Sequence, residues 1–103
     1  MIKEEHNSRI HLFVAILVIL LGILLGLSII EWSFVIMLIG LVFITELVNS
    51  TIEKISDIIN PEINQRIKII KDYAAASVLI SAILSVIIGG LIFIPKLLEL
   101  IKK

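Results

Sequence analysis

Three long runs without a charged residue leave this chain few folds to adopt. Leu12 to Ile30 is nineteen uncharged, mostly apolar residues, close to the roughly 20 that carry an α-helix across a bilayer. Tyr73 to Pro95 is twenty-three, enough for a tilted span. Trp32 to Thr45 is only fourteen. It crosses only if the helix continues through Glu46 and Asn49, which leaves a polar line near one interface. The chain has 103 residues, 59% of them hydrophobic, against roughly 45–50% in soluble domains. One soluble domain of that size has too little polar surface to cover such a core. The expected fold class is therefore all-α: an integral membrane protein with three transmembrane helices. We expect a single domain, 1–103, with spans over about 11–30, 32–59 and 66–95.

Charge excludes some functions and suggests a topology. The formal net charge is zero, so no basic field points to nucleic acid. With no cysteine in the chain, disulfides and thiolate metal sites are excluded. The first apolar run lacks a small-residue cleavage motif and reads as an uncleaved span. Lys3 and Arg9 flank it on one side, and Lys54, Arg66, Lys68 and Lys71 lie between the second and third runs. The positive-inside rule then puts the N-terminus and the 57–72 loop in the cytoplasm. Lys96, Lys102 and Lys103 oppose that orientation but are outnumbered. Glu31 and Trp32 mark a short hairpin, with Trp32 suited to an interfacial belt. Gly22 and Gly26 form a GxxxG pair that permits close helix approach. In the second loop Asn60-Pro61 signals a turn, with Pro61 able to open the next helix.

The polar line lies in "ELVNSTIEKISD", residues 46–57. Glu46, Asn49, Glu53 and Asp57 are spaced so that they fall within roughly 80° around a helix and over about 16 Å of its axis. Ile52, Ile55 and Ile59 take the opposite side. The spacing fits the solvated face of a helix leaving the membrane. It also fits a functional edge, because a carboxylate such as Glu46 at hydrocarbon depth normally faces a protein interior, a water-filled site or a cation. Lys71 and Arg9 are candidate counter-charges. Mg²⁺ is the candidate metal, since only oxygen ligands are on offer. No GxxxxGK[ST], GxGxxG, HRD or DFG signature occurs. The two histidines, His6 and His11, read as interfacial side chains.

These residues resemble a known family. "ELVNSTIEKISD" is similar to the signature of the prokaryotic diacylglycerol kinases, E-x-[LIVM]-N-[ST]-[SA]-[LIV]-E-x-x-[VF]-D. "KDYAAASVLISAI" at 71–83 resembles that family's third-helix entry, and "EHNSRIH" at 5–11 its first-helix entry. "IEW" at 30–32 resembles the hairpin of its Gram-positive members, which are undecaprenol kinases. Thr51 departs from the pattern's Ser or Ala, and Ser56 from its Val or Phe.

The resemblance implies a homotrimeric helical bundle in a prokaryotic cytoplasmic membrane, multi-pass, with its active site on the cytoplasmic side. It implies an ATP- and Mg²⁺-dependent lipid kinase that phosphorylates a lipid alcohol, undecaprenol or diacylglycerol. Carried across, Glu46 is the catalytic base. Glu5 and Glu53 hold the metal, and Asn49, Glu62, Lys71 and Asp72 line the ATP site with them. Asp57 supports the polar edge, while Arg9 and Trp32 join Glu46 in touching the lipid. Only about ten residues precede the first span, so the family's N-terminal surface helix is expected to be largely missing and Glu5 to sit on a free tail. Two other functions fit the residues: a non-catalytic trimer of the same fold, and a small transporter with Glu46 as its ion-coupling group.

Overall fold

The computed structural model describes residues 2–59 and 65–102, with side chains from Arg9 onward. The described residues form three α-helices and no strand: α1 Ile2–Leu25, α2 Ile29–Ile59 and α3 Gln65–Lys102. At about 1.5 Å per residue, the 38 residues of α3 run about 57 Å, nearly the whole 61 Å length of the molecule. Both α2 and α3 are long and apolar enough to cross a membrane, whereas the apolar part of α1, Arg9–Leu25, is shorter.

Very little of the apolar surface turns inward. Ala15, Leu27, Val35, Ala74 and Ile92 are the buried apolar residues among those described. Large side chains such as Leu24, Ile29 and Ile58 are more than 80% exposed. In water such a surface would drive aggregation. In lipid it is the required exterior, and the helices satisfy their own backbone groups.

The α1–α2 hairpin is built by local chemistry. Gly26 ends α1 with φ 70, the left-handed conformation that glycine adopts without steric cost. Its N–H and that of Leu27 both donate to the Gly22 carbonyl, at 3.0 and 3.3 Å. Ser28 and Glu31 then form a capping box at the start of α2. The Ser28 N–H donates to Glu31 Oε1 at 2.9 Å, and the Glu31 N–H donates to Ser28 Oγ at 3.1 Å. Gly22 has a different task. A Cβ there would stand 2.8 Å from Trp32 Cη2 and 2.9 Å from Leu27 Cδ1, so the Trp32 ring lies directly over it. Leu27, Val35 and Ile92 form the small core at this end, with Val18, Trp32, Ile39, Ile88 and Phe93 packed around them.

Three boundaries differ from the sequence reading. The turn is Gly26–Ser28, so Glu31 and Trp32 belong to the first turn of α2 rather than to the hairpin. The GxxxG pair serves that turn, one glycine by its φ and the other by yielding to Trp32. Helix α1 begins at Ile2, which makes position 5 helical rather than part of a free tail. Helix α3 continues through Pro95 to Lys102. Pro61 lies outside the described residues.

Two side-chain contacts set the register of α2 against α3, the most extensively packed pair. Lys96 Nζ pairs with Glu31 Oε1 at 3.2 Å. Further along, the hydroxyls of Thr45 and Ser81 are hydrogen-bonded at 3.0 Å. Fourteen residues forward on α2 thus match fifteen backward on α3, and the helices run antiparallel in step. Lys96, which counted against the orientation by charge, has a carboxylate partner at the hairpin end.

Replacing Gly26 with Ala and Ser28 with Ala should each lower stability by about 1 kcal/mol, through φ strain and a lost cap respectively. Gly40→Ala should act in the opposite direction by about 0.5–1 kcal/mol, because Gly40 is mid-helix with no heavy atom within 4 Å of an added Cβ. Thermal unfolding of the three variants in detergent checks both signs.

Candidate functional site

At the end of the bundle away from the hairpin, α1 meets the polar edge of α2. Glu46 is one of the groups that interrupt the apolar surface there, with its side chain 18% exposed. Its Oε1 lies 3.0 Å from His11 Nε2 on α1. The His11 ring also meets Phe43 edge-to-face, with centroids 6.3 Å apart and planes at 69°. Phe43 and Glu46 are three residues apart on α2 and therefore share a face, so the imidazole is held between them. A cleft of about 80 Å³ opens beside this pair, lined by His11, Phe43, Glu46, Leu47 and Ser50.

The line continues outward along α2. Asn49 Nδ2 donates to Glu53 Oε1 at 3.3 Å, consistent with a carboxylate that can only accept. Asn49 Oδ1 is buried and has no hydrogen-bond partner. A buried acceptor left without a donor is costly, of order 1–3 kcal/mol, so this oxygen is chemically suited to a cation or an N–H from a ligand. Glu53 is half-buried, and Asp57 is exposed.

The remaining candidates are distributed unevenly. Lys71 is half-buried and Asp72 exposed, both in the first turns of α3. The Thr45–Ser81 step, carried eight residues further, brings Glu53 level with Tyr73, next to Asp72 and Lys71. Arg9 is exposed on α1. Trp32 is not brought to this group: it lies fourteen residues from Glu46 along α2, about 21 Å away at the helical rise, in the hairpin core. Glu62 and the side chain of Glu5 lie outside the described residues. Among the described residues no group of three or more His, Cys, Asp or Glu side chains could by itself hold a metal.

His11 is the participant that the sequence reading missed. Arg9 and Lys71 were the candidate counter-charges for the acidic edge, and a histidine 35 positions away is the partner found for Glu46. Nothing in local spacing carries that pairing. It depends on how α1 folds back on α2.

An apolar groove of about 290 Å³ leads away from the site between the three helices. His11 lies at one end and Phe93, beside the hairpin core, at the other. Val14, Val18, Ile39 and Val42 form much of the wall between them. The polar side chains at its lining are the His11 imidazole and the Ser85 hydroxyl. Such a shape suits an amphiphile: apolar along its length, and polar where it meets Glu46.

Three comparisons bear on this arrangement. The family model for prokaryotic diacylglycerol kinase matches residues 1–93. The undecaprenol kinase of Bacillus subtilis (strain 168) is 43% identical over 95 residues, covering 92% of this chain and 77% of that one. The diacylglycerol kinase of Synechocystis sp. is 38% identical over 97 residues, covering 93% of this chain and 55% of that one. This chain thus spans about half the length of the Synechocystis relative. No solved structure matches.

The Thr45–Ser81 contact that levels Glu53 with the start of α3 is open to a double-mutant cycle. Thr45→Val and Ser81→Ala should show a coupling of about 0.6 kcal/mol, the usual value for an interhelical hydrogen bond in a membrane protein. Thermal unfolding in detergent of the two single variants and the double variant measures it.

Proposed function

The chain belongs to the prokaryotic diacylglycerol kinase family and is a lipid kinase, and from that premise we propose that it transfers the γ-phosphoryl group of ATP to undecaprenol. The observation that carries this reading is the acidic edge of α2. Glu46 is partly buried beside an apolar groove, with Asn49 and Glu53 about one and two turns further out. A lipid hydroxyl arrives from the hydrocarbon side and a nucleotide from water, so the chemistry must lie where those two phases meet.

In this reading Glu46 is the base. Its carboxylate accepts the proton of the lipid hydroxyl as that oxygen bonds to the γ-phosphorus. The bond from the γ-phosphorus to the β,γ-bridging oxygen breaks, and ADP leaves. Such transfers need positioning and charge neutralisation more than covalent help. Lys71 supplies positive charge for the phosphates, while Asn49, Glu53, Glu62, Asp72 and Glu5 complete the ATP site. The α1–α2 step from the His11–Glu46 contact, carried six residues along each helix, brings position 5 level with Ile52, next to Glu53. Arg9 lies beside the lipid headgroup and Trp32 at the far end of its chain.

Mg²⁺ fits the donors present. Glu53 and the unpartnered Asn49 Oδ1 both offer oxygen and would hold it, since Mg²⁺ is usually bound by one or two carboxylates together with phosphates and water. When bound, it neutralises phosphate charge. The outward apolar surface supports three spans and contact between subunits, and we carry the homotrimer as part of the proposal. The N-terminus and the α2–α3 connection are on the cytoplasmic side, with the acidic edge.

Phosphate transfer from labelled ATP in mixed micelles tests the reading, with undecaprenol and diacylglycerol supplied separately. Transfer to undecaprenol is expected, and chelation of Mg²⁺ should stop it. Glu46→Gln should reduce kcat by about 10²–10⁴-fold, the range for a lost general base. Glu53→Gln should raise the Mg²⁺ concentration needed for half-maximal rate. Full activity in Glu46→Gln would overturn the assignment of the base.

A further inference from the structure

His11 is the other half of the Glu46 site. Its Nε2 is 3.0 Å from Glu46 Oε1, its side chain is 26% exposed, and its ring is fixed a second time by the edge-to-face contact with Phe43. A carboxylate ready to accept a proton has only acceptors to offer. The proton in this hydrogen bond therefore belongs to His11 Nε2, whether the imidazole is neutral or charged. That contact occupies one oxygen of Glu46 and leaves the other for a substrate.

We propose that His11 is the positioning residue for Glu46: it holds Oε1 so that Oε2 faces the lipid hydroxyl. This rests on the reading of Glu46 as the base. His11 itself takes no proton from the substrate. Its effect is geometric, and two features of the fold suit it to that task. It sits on α1, the helix with the lightest contact to the other two, so the bond ties that helix to the reacting carboxylate. It also stands at the end of the apolar groove, where the lipid alcohol would be presented.

The test compares His11→Leu with His11→Gln, whose amide N–H can reach a carboxylate from nearly the same place. His11→Leu should lower kcat by about 10²-fold, the cost of a base displaced by an ångström or so. KM for MgATP should remain within about twofold, since no ground-state contact to the nucleotide is lost. His11→Gln should recover about tenfold or more of that kcat. Wild-type kcat in His11→Leu would overturn the proposal. So would an equal loss in both variants accompanied by equal falls in melting temperature, which is the pattern of a packing role.

A readout independent of turnover comes from ¹⁵N-histidine NMR, simplified because His6 and His11 are the two histidines of the chain. Glu46→Gln should shift the His11 Nε2 resonance and leave His6 unmoved; no shift would mean no hydrogen bond. The two readings fail separately. An active Glu46→Gln removes the base assignment, whereas an inactive Glu46→Gln beside a fully active His11→Leu removes only the role of His11.

Discussion

Helices in hydrocarbon gain almost nothing by hiding apolar side chains from one another, because the lipid is as apolar as they are. That constraint governs this molecule. Its buried apolar core is five residues among those described, too few to align helices of 24, 31 and 38 residues. Alignment comes from a few polar contacts instead. Glu31–Lys96 and Thr45–Ser81 set α3 against α2, and His11–Glu46 sets α1 against α2. A hydrogen bond has a direction and a length, so each contact fixes depth as well as proximity. Together they bring the polar residues of three helices to a common end.

Much of this was legible in the sequence. The uncharged runs gave the helices, and the 3, 4, 4 spacing of Glu46, Asn49, Glu53 and Asp57 gave one helical edge, because both are local periodicities. Asn49 and Glu53 do meet through the i, i+4 geometry that their spacing dictates. The capping box was also present as Ser28-Ile29-Ile30-Glu31, a four-residue pattern, but charge and the following Trp drew the hairpin three residues too late. Local dihedral chemistry, Gly26 in the left-handed region, decides that boundary.

What sequence spacing does not carry is the partner across 35 or 36 residues. Neither His11–Glu46 nor Thr45–Ser81 leaves a periodic trace. Lys71 and Arg9 were named as counter-charges for the acidic edge by charge alone, and charge does not point to the histidine that meets Glu46. A lysine or arginine seeks water with a long stem. A short, planar imidazole can sit against Phe43 and still present a nitrogen to a half-buried carboxylate. Trp32 shows the same limit from the other side. An aromatic at a turn suggests an interface, but the glycine beneath it, Gly22, is ten residues earlier and gives the ring a packing role.

The two ends of the bundle therefore differ in kind. At the hairpin, backbone caps, a left-handed glycine, an ion pair and the Leu27–Val35–Ile92 cluster all act on the same few residues, so no single one controls the geometry. At the polar end, His11–Glu46 is the side-chain hydrogen bond that joins α1 to α2 among the described residues. Rigidity at one end and a single tether at the other is a useful division for a lipid kinase. The closed end holds the helix spacing that keeps the groove open along its length. At the other end the His11–Glu46 contact stands where the apolar groove begins, so the carboxylate and the mouth of the groove share one place.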